Sequence, residues 1–169
     1  MNKKPKLLWI GDIVAKTGFA RVTENVLPFI KDDFDITVLG NNWWGDPSPL
    51  QKIYTMYPSS NRFQTAPFGE ERIREIVMKI EPDIIFTIND MWIVNEQYKQ
   101  IQDMHKDGRF KFVGYVPMDS YNWVGCLTDT ANDWDGIVSY TEFGAREFIK
   151  AGIEKPIAVS YTHLRAHET

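Results

Sequence analysis

The sequence predicts an α/β protein built on a doubly wound parallel sheet, and three observations carry that expectation. Its apolar runs are short and continuous rather than alternating, as in strands buried on both faces. Between them lie segments whose apolar residues recur at helical spacing. The segments joining the strands are long enough for the crossovers that parallel pairing requires.

Each element follows in order. Leu7–Ile10 reads as the first strand, and Phe19, Val22, Val26, Leu27 and Ile30 place a helix over Gly18–Ile30. Asp35–Gly40 is a second buried strand. The turn-forming stretch "NNWWGDPSP" follows, and irregular chain is expected to about Pro67, long enough to suggest a functional loop. Ile73, Ile76, Val77 and Ile80 give a helix over Gly69–Ile80, stopped by Pro82. A strand at Asp83–Asp90, a helix at Met91–Met104 and strands at Phe110–Val116 and Gly136–Tyr140 come next. "TEFGAREFIKAG" is then a helix closed by Gly152, and "PIAV" begins a last strand. This order is that of a Rossmann-like sheet.

Composition narrows the function classes. A chain of 169 residues, 43% hydrophobic, is sized for one domain. Such a domain buries roughly 70% of the surface its unfolded form exposes. A net charge of -4 with no Lys/Arg-rich block argues against nucleic-acid binding. The run Leu7–Ile10 after the basic "MNKKPK" is too short for a signal-peptide core or a membrane span. The expected location is therefore the cytoplasm, with peripheral membrane contact left open. The single cysteine, Cys126, rules out an internal disulfide and fits a reducing compartment.

The last ten residues, "SYTHLRAHET", resemble the translated read-through of a sequencing adapter. The native domain is thus expected to span 1–159, with 160–169 foreign to it. His163 and His167 stand four apart, but Leu164 occupies the place where a zincin helix needs Glu, so no metal site is expected.

The stretch "GDIVAKTGFARVTENVL" raises the question of function. Gly11 and Gly18 are too far apart for a dinucleotide fingerprint. A P-loop counted from Gly11 finds Lys16 in place of its second glycine and Thr17 in place of its lysine. What remains is physical. Thr17 can cap the helix, whose first N–H groups are unpaired and carry positive partial charge. Gly18 would let an anionic ligand approach them, so Lys16, Thr17, Gly18 and Phe19 form a candidate phosphate-facing loop. An ordinary capped turn would use the same residues.

Open parallel sheets bind ligands beyond the carboxyl ends of their strands. Polar residues gather at those ends here: Asp12 to Thr17, Asn89 and Asp90, Pro117 to Asp119, and Thr141 with Glu142. Trp43 and Trp44 lie in the loop after one strand, and Tyr121 and Trp123 follow another. Aromatic faces beside Asn and Asp suit a sugar ring, though they could equally fill space under a long loop.

Taken together, the strand order and the segments "TGFARVTENVL" and "TEFGAREFIKAG" resemble the N-terminal half of a GT-B glycosyltransferase of the family-four-like group. Thr141, Gly144, Phe148 and Gly152 stand where that group has S-x-x-G-x-x-x-L-x-x-x-G, and the resemblance spans Lys6 to Val159. It implies transfer of a sugar from a nucleotide-sugar donor to an acceptor hydroxyl without a tightly bound metal. This half would hold a carbohydrate-type acceptor on Trp43, Trp44, Asn89, Asp90, Tyr121, Trp123, Thr141 and Glu142. Many relatives carry a histidine after the fifth strand; here "VPMDS" leaves Asp119 as the nearby group able to take a proton. The family's second domain supplies most nucleotide contacts, so this chain alone is expected not to turn over. A nucleotide-sugar epimerase of the same architecture and a non-catalytic binding module are the competing readings. A receiver-type module is disfavoured because Asp12 has no acidic neighbour.

Overall fold

The computed structural model describes residues 3–60, 66–123, 125 and 128–160. It contains a seven-stranded sheet in which every pairing is parallel. The strands are β1 (Lys6–Asp12), β2 (Asp35–Asn41), β3 (Thr55–Pro58), β4 (Ile84–Ile88), β5 (Lys111–Val116), β6 (Gly136–Ser139) and β7 (Ile157–Val159), in spatial order β3-β2-β1-β4-β5-β6-β7. Helices α1 (Gly18–Ile30), α2 (Ile73–Ile80), α3 (Met91–Lys99), α4 (Gln102–Lys106) and α5 (Glu142–Lys150) connect them. The expected Rossmann-like, doubly wound fold is the observed one.

The continuous apolar strands have a direct cause. Alternate residues of β1 serve two separate cores: Leu8 and Ile10 pack with Leu39, Ile76, Phe112, Trp134 and Phe148, while Leu7 and Trp9 pack with Leu27, Val38, Ile88 and Tyr115. A strand with helices on both faces has no polar side to display. Leu27 of α1 belongs to the second core. On that same face, Phe86, Val138 and Tyr140 are only partly buried.

The C-terminal end of α5 shows how local chemistry sets a boundary. Gly152 has φ +85°, its N–H donates to the Ile149 carbonyl at 3.0 Å, and the Ile153 N–H reaches the Phe148 carbonyl at 3.1 Å. Those two bonds satisfy carbonyls the helix leaves open, and Ile153 joins Phe148 in the core.

Two expectations need correction. The stretch expected to be irregular up to Pro67 contains a 3-10 turn at Pro49–Lys52 and the strand β3. β3 is a four-residue edge strand without a fully buried side chain, so it lacks the apolar run that marks the others. Pro58 is tolerated at its end because an edge strand need not donate on both sides. The helix expected over Met91–Met104 breaks at Ile101, whose backbone leaves the helical region (φ -131°, ψ 7°) as its side chain becomes fully buried.

Candidate functional site

A cleft of about 940 Å³ opens at the carboxyl edge of the sheet, lined by residues that follow β1, β2, β4, β5 and β6. Strand succession reverses between β1 and β4, with β2 and β3 on one side and β4 to β7 on the other. Such a switch point leaves a crevice because the connections on its two sides diverge.

The first wall is built by Asp12. This carboxylate is 2% exposed; it accepts from the Thr17 hydroxyl at 2.5 Å and from the Asn42 amide at 2.8 Å. Thr17 Oγ1 in turn accepts the Ala20 N–H at 3.1 Å, capping α1. The N–H groups of Gly18 and Phe19 are left without an acceptor among the described residues. Gly18 is exposed, and a Cβ placed on it would meet nothing within 4 Å.

The second wall begins after β4. Asn89 is 2% exposed and its side-chain oxygen accepts the Asp90 N–H at 2.9 Å. Asp90 occupies the N-cap position of α3 without using its carboxylate as a cap. That carboxylate accepts no hydrogen bond among the described residues. Burial raises its pKa, and the charge of Asp119 raises it further. Tyr140, just beyond β6, holds its hydroxyl buried and unpartnered. Burial pushes that phenol up, with smaller contributions from Tyr115 and Asp90. The Tyr115 hydroxyl is taken by Ser160 Oγ at 2.6 Å, and the Ser160 N–H extends the β6 ladder to the Ser139 carbonyl at 2.8 Å.

Between these groups the lining is apolar. Phe19, Val22 and Val26 face it from α1, and Phe68 meets Trp92 edge-on at 5.7 Å between ring centroids. Arg21 and Asn25 complete the α1 side.

Of the residues singled out in the sequence, Asp12, Thr17, Gly18, Phe19, Asn89, Asp90 and Pro117 meet in this cleft. Lys16 is exposed and does not line it. Asp119 is also exposed and outside the lining, though its charge reaches Asp90. Trp43 is 3% exposed, donates its indole N–H to the Asp46 carbonyl at 2.9 Å and packs over Gly40. Trp44 is exposed away from the cleft, as is Tyr121, which stands edge-on to Phe143. Trp123 donates to Ser120 Oγ at 2.7 Å and leans on Phe148. Thr141 caps α5 through the Gly144 N–H at 3.0 Å, and Glu142 lies 3.8 Å from Arg146 on the same helix. The residues beyond Ser160, with His163 and His167, and the thiol-bearing Cys126 lie outside the described residues.

Sequence reasoning missed Arg21, Asn42, Trp92, Tyr115 and Tyr140. Asn42 and Tyr140 each follow a strand directly and could have been found by the strand-end rule that found Asn89. Arg21 follows Gly18 by three residues on the same helix, and nothing in its spacing distinguishes it from a solvated arginine.

Among the described residues no group of three or more His, Cys, Asp or Glu side chains is placed to hold a metal ion. None of the described helices is long and apolar enough to cross a membrane. No family model matches the chain, and no curated protein matches it.

Proposed function

We propose that this chain is the acceptor-side part of an enzyme that transfers a sugar from a nucleotide-sugar donor to an acceptor hydroxyl. The observation that carries the reading is the first turn of α1. It is fixed over β1 by Asp12 and Thr17, turns two unpaired N–H groups outward at the cleft, and has glycine where a side chain would stand in the way. A glycine at the first helical position costs helix stability that Ala would not, and the close approach of an anion is a reason to keep it.

In the proposed reaction the acceptor oxygen forms a bond to the anomeric carbon of the donor sugar while the bond from that carbon to the diphosphate oxygen breaks. The nucleoside diphosphate leaves with the electron pair, and the acceptor's proton passes to a carboxylate. Of the two carboxylates lining the cleft, Asp12 is already bonded to Thr17 and Asn42, which leaves Asp90, and Asp119 is the neighbouring charge that strengthens its hold on a proton. A second domain would supply most contacts to the nucleotide, with α1 and Arg21 facing the diphosphate from this side.

Titration of the full chain with uridine diphosphate, followed calorimetrically, tests the reading through Gly18→Asp. An acidic residue in the first turn should stabilise α1 by about 0.3–1 kcal/mol. It should also repel the diphosphate and abolish the weak, saturable binding expected of the parent chain. Diphosphate binding that persists unchanged in Gly18→Asp overturns the proposal, as does its absence from the parent.

A further inference from the structure

We infer that the cleft takes a hydroxyl-bearing ligand with an apolar body, its hydroxyl seated between Asp90 and Tyr140 and its body along α1. This rests on the sugar-transfer reading in one respect only: the ligand is taken to be the acceptor.

Many polar groups of the cleft are spent on one another. Thr17 and Asn42 both bond to Asp12, the Asn89 oxygen holds the Asp90 N–H, and the Tyr115 hydroxyl is engaged by Ser160. Besides Arg21 and the Gly18 and Phe19 N–H groups at the start of α1, the Asp90 carboxylate and the Tyr140 hydroxyl remain. Tyr140 Oη is buried with no hydrogen-bond partner among the described residues, which is unfavourable unless something bonds to it. Both residues line the same cleft, Asp90 from the end of β4 and Tyr140 from the end of β6. A ligand hydroxyl that reaches both would donate to the carboxylate and accept from the phenol.

The remaining surface selects the rest of the ligand. Phe19, Val22 and Val26 on one side and Phe68 and Trp92 at the mouth offer hydrocarbon and aromatic faces. A free sugar would press most of its hydroxyls against them unpaired, each losing its hydrogen bonds to water. An apolar helix from another polypeptide would cover the wall but strand the carboxylate and the phenol. A molecule with one hydroxyl on an alkyl or aryl body fits both halves, and about 940 Å³ is within the range of small-molecule sites.

The test uses the full chain and four probes: 4-phenylbutan-1-ol, its methyl ether, methyl glucoside and uridine diphosphate. The alcohol should bind about tenfold more tightly than the ether, the loss expected for one charge-assisted hydrogen bond. It should also bind more tightly than methyl glucoside. Val22→Asp should weaken the alcohol by at least the same factor. Val22 also touches the core, so Asp90→Asn serves as the second variant: it should narrow the gap between alcohol and ether. Methyl glucoside binding as tightly as the alcohol overturns the inference. So does an alcohol–ether gap that survives Asp90→Asn, or no binding of either probe, which would leave the wall to a polypeptide. Loss of diphosphate binding with the alcohol retained would remove the sugar-transfer reading and leave this site standing.

Discussion

Asp135 at the amino edge of the sheet and Asp90 at its carboxyl edge are treated in opposite ways. At the amino edge, Asp135 precedes β6 and is surrounded by donors: Lys111 Nζ at 2.9 Å, the Phe112 N–H at 2.8 Å and His105 Nε2 at 2.8 Å. His105 Nδ1 lies 2.7 Å from the Tyr98 hydroxyl, so the imidazole can donate to Asp135 while accepting from the phenol. Asp83 similarly holds the Lys6 N–H at 2.7 Å. At the carboxyl edge, Asp90 has no such partner among the described residues and Tyr140 none either. At the amino edge these polar groups join the strands; at the carboxyl edge Asp12 is bonded in the same way, while Asp90 and Tyr140 are left for something else. The pKa directions follow: bonds to Lys111, Phe112 and His105 outweigh desolvation and hold Asp135 below its ordinary value, whereas burial lifts Asp90.

The comparison breaks first, and with the largest effect, at Asp135. Asp135→Ala removes the acceptor shared by three donors on α4 and β5, and should lower stability by about 2–3 kcal/mol in urea denaturation. The pH dependence has a definite sign. A depressed carboxylate contributes stability at pH above its unfolded value and loses it as pH falls through the folded one, so the acid limb of the stability curve should flatten in the variant. Uridine diphosphate affinity, read on the folded variant, should stay at the parent value because Asp135 lies at the far edge. A fall in that affinity would mean that the edges are coupled.

Thr17 comes next, because it stands at the carboxyl edge yet is bonded like the amino edge. Its hydroxyl accepts the Ala20 N–H and donates to Asp12. Thr17→Ala should cost about 1 kcal/mol of stability, and Thr17→Ser much less. If Ser does not restore what Ala removes, the hydroxyl is not what fixes α1 over β1.

The contrast also explains what could be read from the sequence. Strands buried on both faces announce themselves, so β1, β2, β4 and β5 were legible, as were the caps Thr17 and Gly152, whose chemistry is local. β3 was not, because an edge strand with half-buried side chains carries no apolar run. At the site, Asn89 and Asp90 were legible as a strand end, but the burial of Trp43 depends on the missing Cβ of Gly40, a contact made only once the chain turns back. Tyr140 and Asp90 follow strands separated by β5, so they come to one cleft only in the assembled sheet. Thr141 and Glu142 are polar residues at a strand end that α5 itself uses, and residue type does not separate that case from Asp90.

Asp90→Asn gives the smallest effect and the sharpest use of the comparison. The carboxylate does not cap α3, so the amide forfeits no cap bond. A carboxyl whose folded pKa is raised is destabilising at pH above that value, and the cost fades as pH falls through it, the reverse of Asp135. At neutral pH the variant should therefore equal or slightly exceed the parent, within about 0.5 kcal/mol, because the site is partly exposed and the charge screened. A Tm loss as large as that of Asp135→Ala would show that Asp90 is held by the protein after all. A Tm that holds or rises while 4-phenylbutan-1-ol affinity falls would mean that this carboxylate stabilises a ligand rather than the fold.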